Sequence, residues 1–145
     1  MKHTLILTPG TWEVEGKYTN ESDVVFAAEG TLRIEHHDHL WLYESWIELA
    51  DPLEPDVRHE WEIQPWNEKN DFLNWQAEHT LMGNLKGKFL LIAETIISQF
   101  YSEEGDYMGS EVMLMQEEDK YYNRGTTFVG DHKLHSWSLN LRRQF

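Results

Sequence analysis

Short runs of alternating apolar and polar residues recur along this chain, separated by turn-forming clusters, and no segment sustains a helical period. The punctuating clusters are HHDH, ADPLEPD, PWNEKND, NLKGK, SEEGD, QEEDK and VGDHK. Between them, runs at 11–18, 24–36, 39–49, 58–64, 72–80, 88–101, 107–116, 120–129 and 133–143 read as about nine strands of an antiparallel meander. A sheet of that size must close or fold over itself to remove its edges. The simplest closure for sequential hairpins is an up-and-down β-barrel, so the expected class is all-β with about 8–10 strands. No repeat or linker interrupts residues 1–145, which are expected to form a single domain.

Cross-strand partners must face the same way, so register can be tested from the sequence. A turn centred near NEK sets Ile63 against Trp75, Trp61 against Ala77 and His59 against His79, with the apolar residues of both strands on one face. A two-residue loop at Asp38–His39 pairs His36 with Trp41, Ile34 with Tyr43 and Arg33 with Glu44. The last run alternates cleanly, with His135, Trp137, Leu139 and Leu141 on one side. At the start, Trp12 and Val14 alternate with Glu13 and Glu15, which turns the indole inward directly behind Gly10.

Composition narrows the partners. The formal net charge of -14, from 26 acidic and 12 basic residues, repels phosphate backbones and anionic headgroups, so neither nucleic acid nor a membrane surface is expected as a partner. There is no cysteine, which excludes disulfides, thiolate zinc sites and cysteine nucleophiles. The opening MKHTLILTPG has too short an apolar run for a signal-peptide core or a membrane span, and a cytoplasmic protein is expected. Seven Trp, six Tyr and six Phe are a large aromatic content for a chain of low overall hydropathy.

The GTW at Gly10–Trp12 resembles the Gly-x-Trp that opens the first barrel strand of the calycin superfamily, which includes lipocalins and fatty-acid-binding proteins. The resemblance implies that Trp12 plugs the closed end of the barrel and that Arg142 or Arg143, in the closing LRR, packs across it. Middle motifs of true lipocalins and their C-terminal helix are absent from the pattern. GTWEVEG and HKLHSWSLNLRR are also similar to the first and last strands of nitrobindins, small barrels that bind haem through a C-terminal His. That similarity implies haem as a candidate cofactor with His135 as proximal ligand, although Val14 and Lys17 stand where the nitrobindin entry strand has glycines.

The inward faces pair histidine with aromatic residues: His59 with Trp61, His79 with Trp75, His135 with Trp137, and His36 with Trp41 and Tyr43. An interior lined this way leaves a cavity that orients a ligand, whereas aliphatic side chains would fill it. The alternative is that the tryptophans are core and the histidines sit at the rims, bonded to backbone or water. The candidate ligand-binding set is therefore Trp61, Trp75, Trp137, Tyr43, His59, His79 and His135, for a small hydrophobic or aromatic partner.

Other chemistry is less well supported. His59 and His79 with His36 or Glu94 offer metal-ligating types without a metal-motif spacing. In HHDH, successive residues point to opposite faces, so His36 and His37 cannot share an ion. GNLKGKF is one residue short of a phosphate loop, and no Gly-x-Ser-x-Gly elbow occurs. Glu94 and Glu111 lie in apolar runs; inward they would serve as acid–base groups of raised pKa, but both are expected to point outward. Three readings remain: a binding module, an enzyme using His or Glu acid–base chemistry, and a filled structural barrel whose outward Leu40 and Leu42 mediate a homodimer.

Overall fold

The computed structural model describes residues 2–50, 56–65, 69, 71–79 and 82–145. The strands are β1 (Gly10–Thr19), β2 (Val25–His36), β3 (Trp41–Leu49), β4 (Val57–Ile63), β5 (Phe72–His79), β6 (Gly83–Ile92), β7 (Thr95–Ser102), β8 (Tyr107–Glu117), β9 (Lys120–Val129) and β10 (His132–Gln144). Every neighbour is antiparallel, and β1 pairs with both β2 and β10, so the sheet closes into a barrel without an edge. Alternation accounts for this closure, because each strand turns one set of side chains inward and leaves the other in water.

Of the pairings expected around two hairpins, His36 with Trp41, Ile34 with Tyr43, Arg33 with Glu44, Trp61 with Ala77, and Ile63 with Trp75 are found, whereas His59 and His79 lie beyond the β4–β5 ladder, which ends at Trp61 and Ala77. Arg33 and Glu44 complete their pairing with an outward ion pair at 2.7 Å. Asn67 and Glu68 of the NEK turn lie outside the described residues. One boundary is corrected: 88–101 is not one strand but the end of β6 and nearly all of β7, joined at Ala93–Glu94. That turn uses a positive φ of 51° at Ala93 and has no Gly, Asn or Asp to announce it. Conversely, NLKGK is not a turn but the interior of β6, where Gly87 is required because Trp75 lies across it.

Gly16 and Gly30 let neighbouring strands approach closely, since a Cβ on either would stand about 2 Å from a carbonyl oxygen across the ladder, 2.1 Å from Ser138 O and 1.9 Å from Trp46 O. The barrel is finished at one end by a segment outside any strand. Residues 3–8 cross its floor, where Leu5 and Ile6 are fully buried beside Trp12. Ile6 holds a positive φ of 72°, costly for a β-branched residue, and His36 Nε2 donates to its carbonyl at 2.7 Å. His3 Nε2 donates to Ala93 O at 2.8 Å, which leaves Nδ1 to accept from the Tyr121 hydroxyl at 2.7 Å. Burial lowers the His3 pKa, keeping the ring neutral for that role.

Trp12 is a fully buried floor residue, set edge-on to Tyr121 with ring centroids 5.5 Å apart. Arg143 pairs with Trp12 in register, and its guanidinium lies over Gly10 and donates to the carbonyl of Pro9 at 3.0 Å. Gly10 therefore makes room for the arginine that closes the floor as well as for the bend into β1.

Candidate functional site

Above the floor the barrel encloses a cavity of about 490 Å³, so it is not a filled barrel. All seven residues singled out from the sequence stand on its wall: Tyr43, His59, Trp61, Trp75, His79, His135 and Trp137. Consecutive hairpins bring the aromatic ones together. Tyr43 of β3 stacks on Trp61 of β4 at 4.5 Å between ring centroids, and Trp61 stacks on Trp75 of β5 at 4.6 Å, with interplanar angles of 12° and 8°. Phe100 of β7 continues the wall, 5.8 Å from Trp75. Offset stacking of this kind adds about 0.5–1.5 kcal/mol per pair beyond area burial and holds each ring in one orientation.

Three glycines keep these rings flat against the wall. Trp75 lies opposite Gly87, Phe100 opposite Gly109 and Trp137 opposite Gly125, and a Cβ on any of the three would come within 2.4 Å of the facing ring. Without a side chain on the neighbouring strand, each ring folds sideways over backbone and leaves the lumen open. No single-strand pattern reveals this pairing, because ring and glycine sit on different strands.

The histidines gather at the end opposite the floor. His59 and His79 meet edge to face at 5.3 Å, and His135 packs on Tyr18 at 5.2 Å. His79 Nδ1 accepts from the Met82 backbone N–H at 3.1 Å. Burial, reinforced by the nearby His79, lowers the His59 pKa to about 4, and burial with a contribution from His135 lowers that of His79. A neutral imidazole at His59 is thus the state near neutral pH. A bulge between Lys133 and His135 shifts the β10 register at this point and returns His135 to the inward face opposite Thr127.

Of the two carboxylates expected to point outward, one does and one does not. Glu94 is exposed, but in the β6–β7 turn rather than inside a strand. Glu111 is inward and buried on β8, in phase with Met113 and Met115. Asn123 Nδ2 donates to its Oε1 at 2.6 Å and Trp137 Nε1 donates to the same oxygen at 3.3 Å. Burial raises the Glu111 pKa against the opposing pull of those two hydrogen bonds. The carboxyl in turn raises the pKa of Tyr43, whose own burial is the larger cause. Asn123 was not legible as a site residue, although its phase with buried Tyr121 marks it as inward.

The remaining candidates stand apart from the cavity. His36 belongs to the floor, stacked on Trp41 at 3.7 Å and bonded to Ile6, so it cannot join His59 and His79 in a metal site. Among the described residues no three His, Cys, Asp or Glu side chains are grouped to hold a metal. Leu40 and Leu42 are half-buried, and the exposed large apolar side chains lie elsewhere, including Tyr101, Met108, Val112 and Tyr122 on β7–β9.

No family model and no curated protein matches this sequence. Among solved structures, the S-type phycobiliprotein lyase CPES from Guillardia theta superposes with a TM-score of 0.71 at 8% sequence identity, over 96% of this chain and 89% of the other. The shared feature is the fold, a closed antiparallel up-and-down β-barrel. A de novo designed fluorescence-activating β-barrel superposes with a TM-score of 0.48 at 14% identity, over 99% of this chain and 100% of the other. At 8% identity the likeness to the lyase describes the barrel fold and not the chemistry within it.

Proposed function

We propose that this calycin-like barrel binds a flat, largely apolar small molecule between the stacked Tyr43–Trp61–Trp75 wall and Trp137, with His59, His79 and His135 as polar contacts at the cavity end. The observation that carries this reading is the conjunction of an open lumen of about 490 Å³ with an aromatic wall whose rings are held in place by stacking on one another and by packing over glycines. Pockets of this size, apolar with a few convergent polar groups, are the usual form of small-molecule sites. The fold shared with a phycobiliprotein lyase is consistent with a ligand-binding use.

Titration with the neutral fluorophore Nile red tests the proposal. Expected are one site per chain, enhanced dye emission and quenched tryptophan fluorescence, all weakened in Trp61→Leu. Trp46, which is 43% exposed on the outer surface, serves as control in Trp46→Leu. Absence of binding, or equal loss in both variants, would overturn the cavity reading.

Haem bound through His135 is the second reading, favoured by that imidazole's place on the wall of an aromatic cavity. The donor set fits, and bound haem would supply ligand-binding and redox chemistry at its iron. Iron porphyrin has no N–H group to offer Glu111 Oε2 and Asn123 Oδ1, two buried acceptors near Trp137 that have no hydrogen-bond partner, which ranks it below an organic ligand carrying such donors. A shifted Soret band on adding haemin, lost in His135→Ala, is the expected signature; an unshifted band excludes it.

A further inference from the structure

The cavity reading leaves two buried acceptors unexplained. Glu111 Oε2 and Asn123 Oδ1 both belong to cavity-lining residues, both are shielded from solvent, and neither has a hydrogen-bond partner. Their companion atoms are committed: Glu111 Oε1 accepts from Asn123 Nδ2 and Trp137 Nε1. This arrangement fixes the orientation of the amide, because exchanging its O and N would set two acceptors against each other. What remains is a pair of unpaired acceptors on adjacent cavity-lining side chains, too enclosed for water to reach, so that a ligand's donor meets them as the side chains turn toward the lumen. A buried polar atom left unpaired costs about 1–3 kcal/mol, more if charged, so a ligand that supplies the missing donors is strongly selected.

We infer that Glu111 and Asn123 form a recognition subsite for N–H donors on a flat aromatic cation, the carboxylate pairing with the ligand's charge. The inference rests on the cavity reading and adds ligand chemistry to it. The excess of 26 acidic over 12 basic residues draws cations toward the barrel and disfavours anionic competitors. Trp137 contributes twice, as wall and as the N–H that orients Glu111. Ser98, paired with Glu111 across β7–β8, is also buried without a partner, but it does not line the cavity.

The test compares two probes of one ring system: acridine, which lacks an N–H and is neutral at neutral pH, and 9-aminoacridine, whose amino group conjugated with the ring nitrogen makes it cationic there and which carries N–H donors. Expected is tighter binding of aminoacridine, reduced about tenfold or more by Glu111→Gln, while acridine affinity stays within about twofold. Retained acridine binding shows that the variant is folded with its cavity intact. Aminoacridine affinity should also fall as acid protonates Glu111 in the wild type, and this component should vanish in Glu111→Gln. Tyr43 faces Glu111 from β3; His59, His79, His135, Tyr18, Asp56 and Arg58 are the other titratable or charged groups on the cavity wall, and their contribution persists in the variant. Equal binding of both probes, or selectivity unchanged in Glu111→Gln, would overturn the subsite while leaving the cavity reading standing. Binding of neither probe would overturn both.

Discussion

At the floor of the barrel, His3 and His36 hold backbone carbonyls, Tyr121 and Trp12 cross edge to face, and Leu5 and Ile6 fill the space between them. At the other end, His59, His79 and His135 surround a lumen of about 490 Å³, and aromatic rings lie flat on its wall. The same residue types build both regions, so type alone does not distinguish core from site. The difference lies in what covers each ring. The N-terminal segment folds over the floor residues, whereas on the cavity wall Trp75, Phe100 and Trp137 fold over glycines of neighbouring strands.

The largest effect expected is on the floor. Trp12→Ala should cost about 3–5 kcal/mol in urea unfolding, because the deleted ring leaves a void among fully buried neighbours. A cost below about 1 kcal/mol would mean that the floor is as loosely packed as the lumen. Next, Gly125→Ala should cost about 1–3 kcal/mol and shift Trp137 emission, since its new methyl would stand 2.2 Å from the indole. Unchanged stability and emission would refute the part assigned to ring-on-glycine contacts.

A pH effect separates the histidines. His59 has a folded pKa of about 4 against 6.5 unfolded, so the unfolded state binds more protons between these values. Stability is therefore full above pH 6.5 and falls as acid approaches pH 4, by about 2–3 kcal/mol for this group. His59→Phe should flatten that part of the profile; an unaltered slope would locate the acid sensitivity elsewhere. The smallest effect has the opposite sign. Glu111 is a buried acid with raised pKa, so its contribution to stability is lost as pH rises, and Glu111→Gln should stabilise the protein by about 1 kcal/mol at neutral pH. Destabilisation instead would make the carboxylate a structural group.

Much of the barrel was legible because alternation reports on a single strand at a time. Trp12, Trp61, Trp75 and His135 faced inward as their phases required, and two hairpin registers followed from pairing like faces. The outward expectation for Glu111 failed because general strand polarity was preferred to the phase set by Met113 and Met115. His36 was inward but on the floor, a distinction of height along the barrel that period-two patterning does not encode. The floor segment was missed for a related reason: residues 3–8 have no period, and their burial depends on Tyr121 and Ala93, distant in the chain.

The blocked floor also governs traffic. A tube with both ends free would let one molecule enter as another leaves, but a cul-de-sac obliges each occupant to depart before its successor arrives. Along the barrel axis, turnover of the contents must pass the end where His59, His79 and His135 stand. Residence time and affinity can therefore be adjusted at different heights, by the imidazole ring above and the aromatic wall below.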